Sequence, residues 1–183
     1  KRRTGREIQN THVGTRRPRP DLNLDGIQQS DDLMHIVRQP DVDVVVEVMG
    51  GIHPAYEVIM EAIKHGKQVV TANKALLAEH GNELFKAAED NAVQIAYEAA
   101  VAGGIPIIKV IREGLAANHI QWLAGIINGT GNFILTEMRE KGRAFEDVLK
   151  EAQELGYAEA DPTFDVEGID AAHKLTILAS CAF

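Results

Sequence analysis

The sequence contains a single cysteine, Cys181, and no run of about eighteen apolar residues. One cysteine excludes an intramolecular disulfide framework and any zinc site built from several cysteines, and it favours a reducing, cytoplasmic compartment. The missing apolar run predicts that no helix spans a membrane. The 183 residues are 45% hydrophobic and 25% charged, which is typical of a soluble globular protein.

The sequence also lacks the G-x-G-x-x-G run that normally opens a dinucleotide site after the first strand of a parallel sheet. Only Gly103-Gly104 and Gly129-Thr130-Gly131 approach it, and neither has the right context. The chain begins at Lys1 and ends at Phe183 within an apolar, helix-like run. We therefore expect an internal fragment whose glycine-rich loop lies upstream. The alternative, that the chain binds no nucleotide, remains open at this point.

The charge is distributed unevenly along the chain. The first twenty residues hold seven basic side chains against one acidic side chain, although the net charge of the whole chain is −8. A basic arm can bind nucleic acid. This arm lacks interleaved aromatic residues, and the acidic remainder would repel a polyanion. We therefore expect no nucleic-acid partner and interpret the arm as a solvated helix end followed by a short strand.

Apolar strands alternate with helices in the first half of the chain, which indicates βαβ crossovers and a parallel sheet. Strands are predicted at 8–15, 42–49, 68–71 and 92–97, and helices at 32–38, 54–65, 76–90 and 106–115. The run 42–49 is nearly all β-branched and apolar, which predicts a strand buried on both faces. Ligands of such sheets bind beyond the carboxyl ends of the strands, here at 50–51, 71–74 and 98–104.

The pattern changes after residue 117. We predict a strand at 119–128, a turn at 129–132, a loop at 156–168 and helices at 133–141, 145–155 and 170–182. We expect Trp122 to be a core or interface residue and Cys181 to be a packed core thiol. The fold class is therefore α/β. A partial Rossmann-type parallel sheet over 1–105 forms part of a dinucleotide-binding domain, and 106–183 form part of an α+β catalytic or substrate domain.

A lysine and several carboxylates cluster near the end of the chain. Asp170 and Lys174 are four residues apart on a predicted helix and so share a face, and Glu159, Asp161 and Asp165 precede them on the predicted loop. A partly enclosed lysine with a fixed partner suits proton transfer. The same spacing also occurs in surface pairs that contribute about 0.2–0.5 kcal/mol, and spacing alone favours the surface pair.

The same stretch resembles the signature of the homoserine dehydrogenase family. The matching residues are Ala152, Gly156, Tyr157, Ala158, Asp161, Pro162, Asp165, Val166, Gly168, Asp170 and Lys174. Four further segments resemble that family in the same order, at 44–51, 69–74, 98–106 and 127–130. The resemblance extends over about 42–182, most of the chain, and changes the reading of the lysine.

Homoserine dehydrogenases interconvert L-aspartate 4-semialdehyde and L-homoserine with NAD(P)H, in threonine, methionine and isoleucine biosynthesis. The resemblance implies that Lys174 is the acid/base lysine and that Lys74 lies near the nicotinamide and the substrate. It also implies that Asp170 and Glu159 bind the amino group of homoserine. Asp165 would order the loop or support Lys174.

The resemblance assigns glycines to the cofactor as well. Gly156 would let the cofactor approach the backbone, and Gly50 and Gly51 would do so near the nicotinamide ribose. Arg16 and Arg17 fall near the end of the presumed second strand, where arginine can accommodate a 2′-phosphate. No acidic residue stands there to bind a free 2′-hydroxyl, so NADP(H) is favoured over NAD(H). The alternative is that these arginines belong only to the basic arm.

The family also binds a monovalent cation through backbone oxygens, which would belong here to Glu98, Val101, Gly103 and Ile105. Oxygen ligation suits a hard cation, and the sequence does not distinguish Na⁺ from K⁺. The rival interpretation of Gly103-Gly104 is a helix-initiating turn.

Family members are usually dimers through the second domain, so the resemblance implies a homodimer. Two alternatives to a simple dehydrogenase remain. The chain could be a catalytically incompetent fragment or regulatory homologue that keeps the fold without binding dinucleotide. The parent protein could also be fused to an aspartate kinase.

Overall fold

The computed structural model describes Gly5, residues 7–17 and residues 22–183. The chain divides into two compact units, Lys1–Ala96 and Tyr97–Phe183. Most of the predicted helix end before the strand at 8–15 lies outside the described residues, as do residues 18–21.

Short parallel strands form two sheets in the described part of the first unit. β1 (His12–Gly14) pairs with β2 (Gln28–Ser30), and the second sheet has the order β3 (Val44–Glu47), β4 (Gln68–Thr71), β5 (Ile95–Ala96). The parallel pairing confirms the predicted α/β class. β2 was not predicted, because a Gln-Gln-Ser sequence carries neither apolar alternation nor β-branched residues.

Helix α1 (Leu33–Val37) begins where the sequence predicts. The Asp32 carboxylate accepts a hydrogen bond from the backbone N–H of His35 at 2.9 Å and so satisfies one of the unpaired donors of the first turn. Asp32 is therefore the cap of α1.

Helices α2 (Ala55–Lys64) and α3 (Lys74–Asp90) build the core of the first unit. α2 packs against β3 and β4, and α3 packs against α2. Their fully buried side chains include Ile59, Ile63, Leu76 and Leu84. Gly66 follows α2 with φ +69°, a left-handed conformation that suits glycine after the end of a helix.

The prediction that 42–49 is buried on both faces is wrong. Val44 and Val46 are 48% and 64% exposed, whereas Glu47, which points to the other face, is 2% exposed. Side chains alternate between the two faces of a strand, and in the described residues α2 covers one face of β3. The β-branched run therefore predicts the strand correctly, but it does not predict whether one face or both faces of the strand are covered.

The second unit is mainly helical in its described residues. A 3₁₀ turn at Glu98–Ala100 and helix α4 (Ile107–Lys109), which continues as π-helical turns over Val110–Gly114, precede the remaining helices. These are α5 (Gly129–Lys141), α6 (Phe145–Glu154), α7 (Thr163–Val166) and α8 (Ile169–Ala182). Ile134, Val148, Ala152 and Ala158 form the core between α5 and α6, with Phe133, Met138, Leu149 and Val166 packed around them.

Two predicted loops contain helix instead. Residues 129–132 form the first turn of α5, because the Asn128 side chain accepts a hydrogen bond from the Gly131 N–H at 2.6 Å and caps the helix. The predicted loop 156–168 contains α7, which begins after Pro162. Pro is compatible with the first turn of a helix because it has no N–H to satisfy there.

The strand predicted at 119–128 is absent, because no strand of the described residues pairs with this extended segment. Trp122 and Ile126 are 76% and 79% exposed, so Trp122 is not a core residue of this chain. Cys181 is only half-buried, and its Sγ lies 3.4 Å from the Tyr97 hydroxyl. Among the described residues, no helix is long and apolar enough to cross a membrane.

Candidate active site

Lys174 and Asp170 form an enclosed ion pair on α8. The Lys174 Nζ donates to Asp170 Oδ2 at 2.7 Å and to the backbone carbonyl of Ile127 at 2.8 Å. The two side chains are 18% and 9% exposed. The pair is therefore not the open surface pair that spacing alone favours.

Asn128 brings a second carboxylate to this pair. Its Nδ2 donates to Asp165 Oδ1 at 2.8 Å and to Asp170 Oδ2 at 3.0 Å, while its Oδ1 caps α5. We call Asn128, Asp165, Asp170, Lys174 and the Ile127 carbonyl the Lys174 cluster. The role of Asn128 was not predicted. Its position before a helix could have indicated a cap, but its contacts with the two carboxylates could not be predicted because those residues lie 37 and 42 positions away.

The cluster leaves Lys174 able to act on a further oxygen. An ammonium has three N–H donors, and two of them are used on Asp170 and the Ile127 carbonyl. The third has no acceptor among the described residues and can be directed at a bound carbonyl or hydroxyl oxygen. The geometry thus suits a fixed proton donor and acceptor.

Glu159 is not part of the cluster in this structure. Glu159 is exposed, and its backbone carbonyl accepts a hydrogen bond from the Gln153 side chain at 3.1 Å. Its carboxylate has no hydrogen bond or ion pair among the described residues. Asp161 instead bonds the N–H and hydroxyl of Thr163, and these bonds lower the pKa of its carboxyl. The two bonds fix the start of α7, which carries Asp165.

Gly156 follows α6 with φ +76°, and a Cβ there would meet nothing within 4 Å. Its backbone is therefore exposed, and the cofactor contact that the resemblance implies for Gly156 stays a prediction. The position also serves as the left-handed residue after the helix end, which alone would favour glycine.

The first unit has a glycine turn beyond the carboxyl end of β3. Gly50 and Gly51 both have φ +73°, and a Cβ at either position would meet nothing within 4 Å. Lys74, half-buried, is the first residue of α3 and follows the end of β4. Arg16 is exposed just beyond β1. All four predicted cofactor residues of this unit therefore lie beyond carboxyl ends of parallel strands, where such sheets bind ligands.

The four residues predicted to hold a cation lie on the segment between β5 and α4. Gly103 has φ +58°, and the Ile105 carbonyl already accepts the Ile107 N–H at 2.8 Å. The Glu98 carboxylate accepts the N–H groups of Ile108 and Lys109 at 2.8 and 3.0 Å.

No group of three His, Cys, Asp or Glu side chains in the described ranges is arranged to hold a metal ion. Backbone carbonyl oxygens such as those of this segment are ligands that hard cations prefer.

The parallel sheet and its glycine turn place the first unit in the class of α/β domains that bind ligands beyond the carboxyl ends of their strands. A family model described as "Homoserine dehydrogenase, NAD binding domain" matches residues 5–98, and a model described as "Homoserine dehydrogenase" matches residues 106–183. The chain belongs to the homoserine dehydrogenase family, which confirms the resemblance found in the sequence.

Individual relatives agree with the family models. The chain is 64% identical to a homoserine dehydrogenase of Pseudomonas aeruginosa over 182 residues, which are 100% of this chain and 42% of that protein. It is 66% identical to one of Neisseria gonorrhoeae over 152 residues, 83% of this chain and 35% of that protein. The chain thus spans less than half the length of these relatives.

Solved structures give the same result. A crystal structure of a homoserine dehydrogenase from Thiobacillus denitrificans matches the whole chain and 42% of its own, with a TM-score of 0.91 and 60% identity. A hyperthermophilic archaeal homoserine dehydrogenase in complex with NADPH matches 83% of this chain and 47% of its own, with a TM-score of 0.78 and 34% identity. These matches confirm the predicted fold class.

Proposed function

We propose that this chain carries part of the catalytic apparatus of an NAD(P)-dependent homoserine dehydrogenase. The reaction is the interconversion of L-aspartate 4-semialdehyde and L-homoserine, in the biosynthesis of threonine, methionine and isoleucine in the cytoplasm. The observation that carries the proposal is the enclosed Lys174–Asp170 pair, held by Asn128 and the Ile127 carbonyl. This pair lies in a chain that belongs to the family by sequence and by fold.

Lys174 is the acid/base residue of the proposed reaction. When bound, the dinucleotide would supply the hydride that reduces the aldehyde carbon. As the carbonyl oxygen gains negative charge, Lys174 donates the proton that completes the hydroxyl group. In the oxidation of homoserine, the neutral amine of Lys174 accepts the hydroxyl proton. Asp170 fixes the ammonium in position through its hydrogen bond to Nζ.

The carboxylates of the second unit bind the substrate. Asp170 and Glu159 are proposed to bind the amino group of homoserine, because an ammonium group needs acceptors and Glu159 has an unused carboxylate. Asp165 orders the segment through its bond to Asn128.

The first unit holds the dinucleotide. Gly50, Gly51 and Gly156 are each proposed to contact the cofactor through the backbone, and the positive φ and open surroundings of each glycine support this role. Lys74 is proposed to lie near the nicotinamide. Arg16, exposed beyond β1, suits a 2′-phosphate, so we propose NADP(H) rather than NAD(H) as the preferred cofactor.

Three further features complete the proposal. Residues 1–105 are assigned to the dinucleotide-binding domain and 106–183 to the catalytic domain. The backbone oxygens of Glu98, Val101, Gly103 and Ile105 are proposed to hold Na⁺ or K⁺. The complete protein is proposed to be a homodimer.

The test is homoserine-dependent NADP⁺ reduction by the complete gene product. Lys174→Ala should lower kcat by about 10²–10⁴, the usual contribution of a general acid or base. Lys174→Arg should do the same, because it keeps the charge but cannot lose its proton near neutral pH. Lys150→Ala, an exposed lysine on α6, is the matched control and should leave kcat unchanged. Normal turnover by Lys174→Ala would refute the proposed role.

A further inference from the structure

A buried carboxylate lies next to the glycine turn, and the proposed reaction gives it no task. Glu47 is the last residue of β3 and is 2% exposed. Burial of a carboxylate is costly unless hydrogen bonds replace its hydration. The position of Glu47 therefore requires a compensating set of donors.

In the part of the chain that the structure describes, every partner of the Glu47 carboxylate is a hydrogen-bond donor. Its Oε1 accepts the backbone N–H groups of Met49 at 2.6 Å and Gly50 at 3.3 Å, and its Oε2 accepts the Thr71 hydroxyl at 2.6 Å. The Asn73 N–H donates to the Thr71 oxygen at 3.0 Å, which fits a hydroxyl that points its own hydrogen at Glu47. Only a side chain that accepts at both oxygens satisfies this set.

The bonds continue from Glu47 to the other side of the glycine turn. Asn73 Nδ2 donates to the Gly51 carbonyl at 2.6 Å, and Asn73 Oδ1 accepts the Leu76 N–H at 3.1 Å and caps α3. We call Glu47, Thr71 and Asn73 the Glu47 network. It holds the turn at the Gly50 N–H and at the Gly51 carbonyl, and it fixes the start of α3.

We propose that Glu47 is a positioning residue for the dinucleotide. Two consecutive glycines have more backbone freedom than other residues and lose more entropy when they are ordered. The Glu47 network orders the glycine turn before the cofactor arrives, which lowers the cost of binding. It also fixes Lys74, which follows Asn73 directly. This inference depends on the proposed function, because that function assigns the glycine turn and Lys74 to the cofactor.

The test compares three variants of the complete gene product. Glu47→Gln replaces one acceptor by an NH₂ group, which must face either the Thr71 hydroxyl or the backbone N–H groups. Thr71→Val removes the link between Glu47 and Asn73 and leaves the carboxylate in place. Lys67→Met is the control, since Lys67 is also buried, bonds the Gln39 carbonyl at 2.8 Å, and precedes β4 at its amino end.

NADPH affinity is measured by fluorescence titration, together with KM for NADP⁺, KM for homoserine and the unfolding temperature. Glu47→Gln should raise the Kd for NADPH and the KM for NADP⁺ by about tenfold, the effect of leaving a buried donor unpaired, while KM for homoserine changes less than twofold. Thr71→Val should shift the same two constants by a smaller factor. Lys67→Met should lower the unfolding temperature without changing either constant.

Unchanged NADPH affinity in Glu47→Gln would overturn the proposal. An equal rise of both Michaelis constants in Glu47→Gln and Lys67→Met would also overturn it, because that pattern reports general destabilisation. If Glu47→Gln does not fold, Thr71→Val decides by the same criteria. A wild-type protein that binds NADPH without oxidising homoserine would refute the proposed function alone, whereas one that binds no NADPH would refute both.

Discussion

Lys174 is held by two acceptors with different effects. The Ile127 carbonyl fixes the position of Nζ without adding charge, whereas the Asp170 carboxylate fixes it and balances the ammonium. The Asp170–Lys174 contact could be predicted from their spacing on one helix face. The Ile127 contact could not, because it joins residues 47 positions apart and depends on how the extended segment before α5 folds back onto α8.

Asn128 links the start of α5 to both carboxylates of the Lys174 cluster. Asn128→Ala should lower the free energy of unfolding by about 0.5–2 kcal/mol, the usual effect of losing a helix cap. Asn128→Asp keeps the cap oxygen but sets a third carboxylate against Asp165 and Asp170. It should therefore lower kcat for homoserine oxidation more than Asn128→Ala does. Chemical denaturation and steady-state kinetics measure the two effects.

The control for this pair is Asn91→Ala, which removes the bond from an exposed asparagine to the Ala87 carbonyl at the end of α3. This change should leave kcat unaltered. A higher kcat in Asn128→Asp than in Asn128→Ala would show that the amide donor does not order the carboxylates.

At the scale of elements, helix α6 illustrates what the sequence predicts well. Its apolar periodicity identifies 145–155, and the structure has Phe145–Glu154. The starts of α3 and α5 were placed too late, because Asn73 and Asn128 cap these helices. The prediction of a strand at 119–128 was wrong for another reason. Strand propensity is a local property, but a strand also needs a partner strand for its backbone hydrogen bonds.

Helices α5 and α6 are joined at their surface by Arg143. Its guanidinium donates to Glu137 on α5 at 3.0 Å and also to Glu151 on α6. Hydrogen bonds from Lys141 and Arg143 lower the pKa of the Glu137 carboxyl. A carboxyl whose pKa is lowered in the folded state stabilises the protein at pH values above the pKa that the same carboxyl has in the unfolded chain. This stabilisation is lost as the pH falls.

Glu137→Gln should therefore be less stable than the wild type at neutral pH. The difference should begin to shrink as the pH falls through the ordinary glutamate value of about 4.3 and should vanish below the lowered pKa of Glu137 in the folded protein. Thermal unfolding of both proteins across the acid range measures the difference. Glu140→Gln changes an exposed neighbouring residue and serves as the matched control, for which we expect a smaller loss of stability. A difference that persists unchanged in acid would mean that the Glu137 charge is not its source.

At the scale of the whole molecule, the described strands form two separate parallel sheets rather than one. The α/β class followed from the alternation of strands and helices. The division into two sheets did not, because β2 carries no sequence signal and the pairing of strands is decided by contacts distant in sequence.

The missing G-x-G-x-x-G run leads to a prediction for the chain of 183 residues. Phosphate groups of dinucleotides bind to backbone N–H groups at such a run. A titration of this chain with NADPH should show weak or undetectable binding, whereas the complete gene product should bind it. Micromolar affinity of the 183-residue chain would contradict this expectation and would show that the residues present are sufficient for the cofactor.

Trp122 is the one tryptophan of the chain, and it is 76% exposed on the extended segment before α5. Indole emission shifts to shorter wavelength when water is removed from the ring. The intrinsic fluorescence of this chain therefore reports directly on whether the segment 119–128 is covered. An emission spectrum recorded over a dilution series would follow association through this segment without any added label.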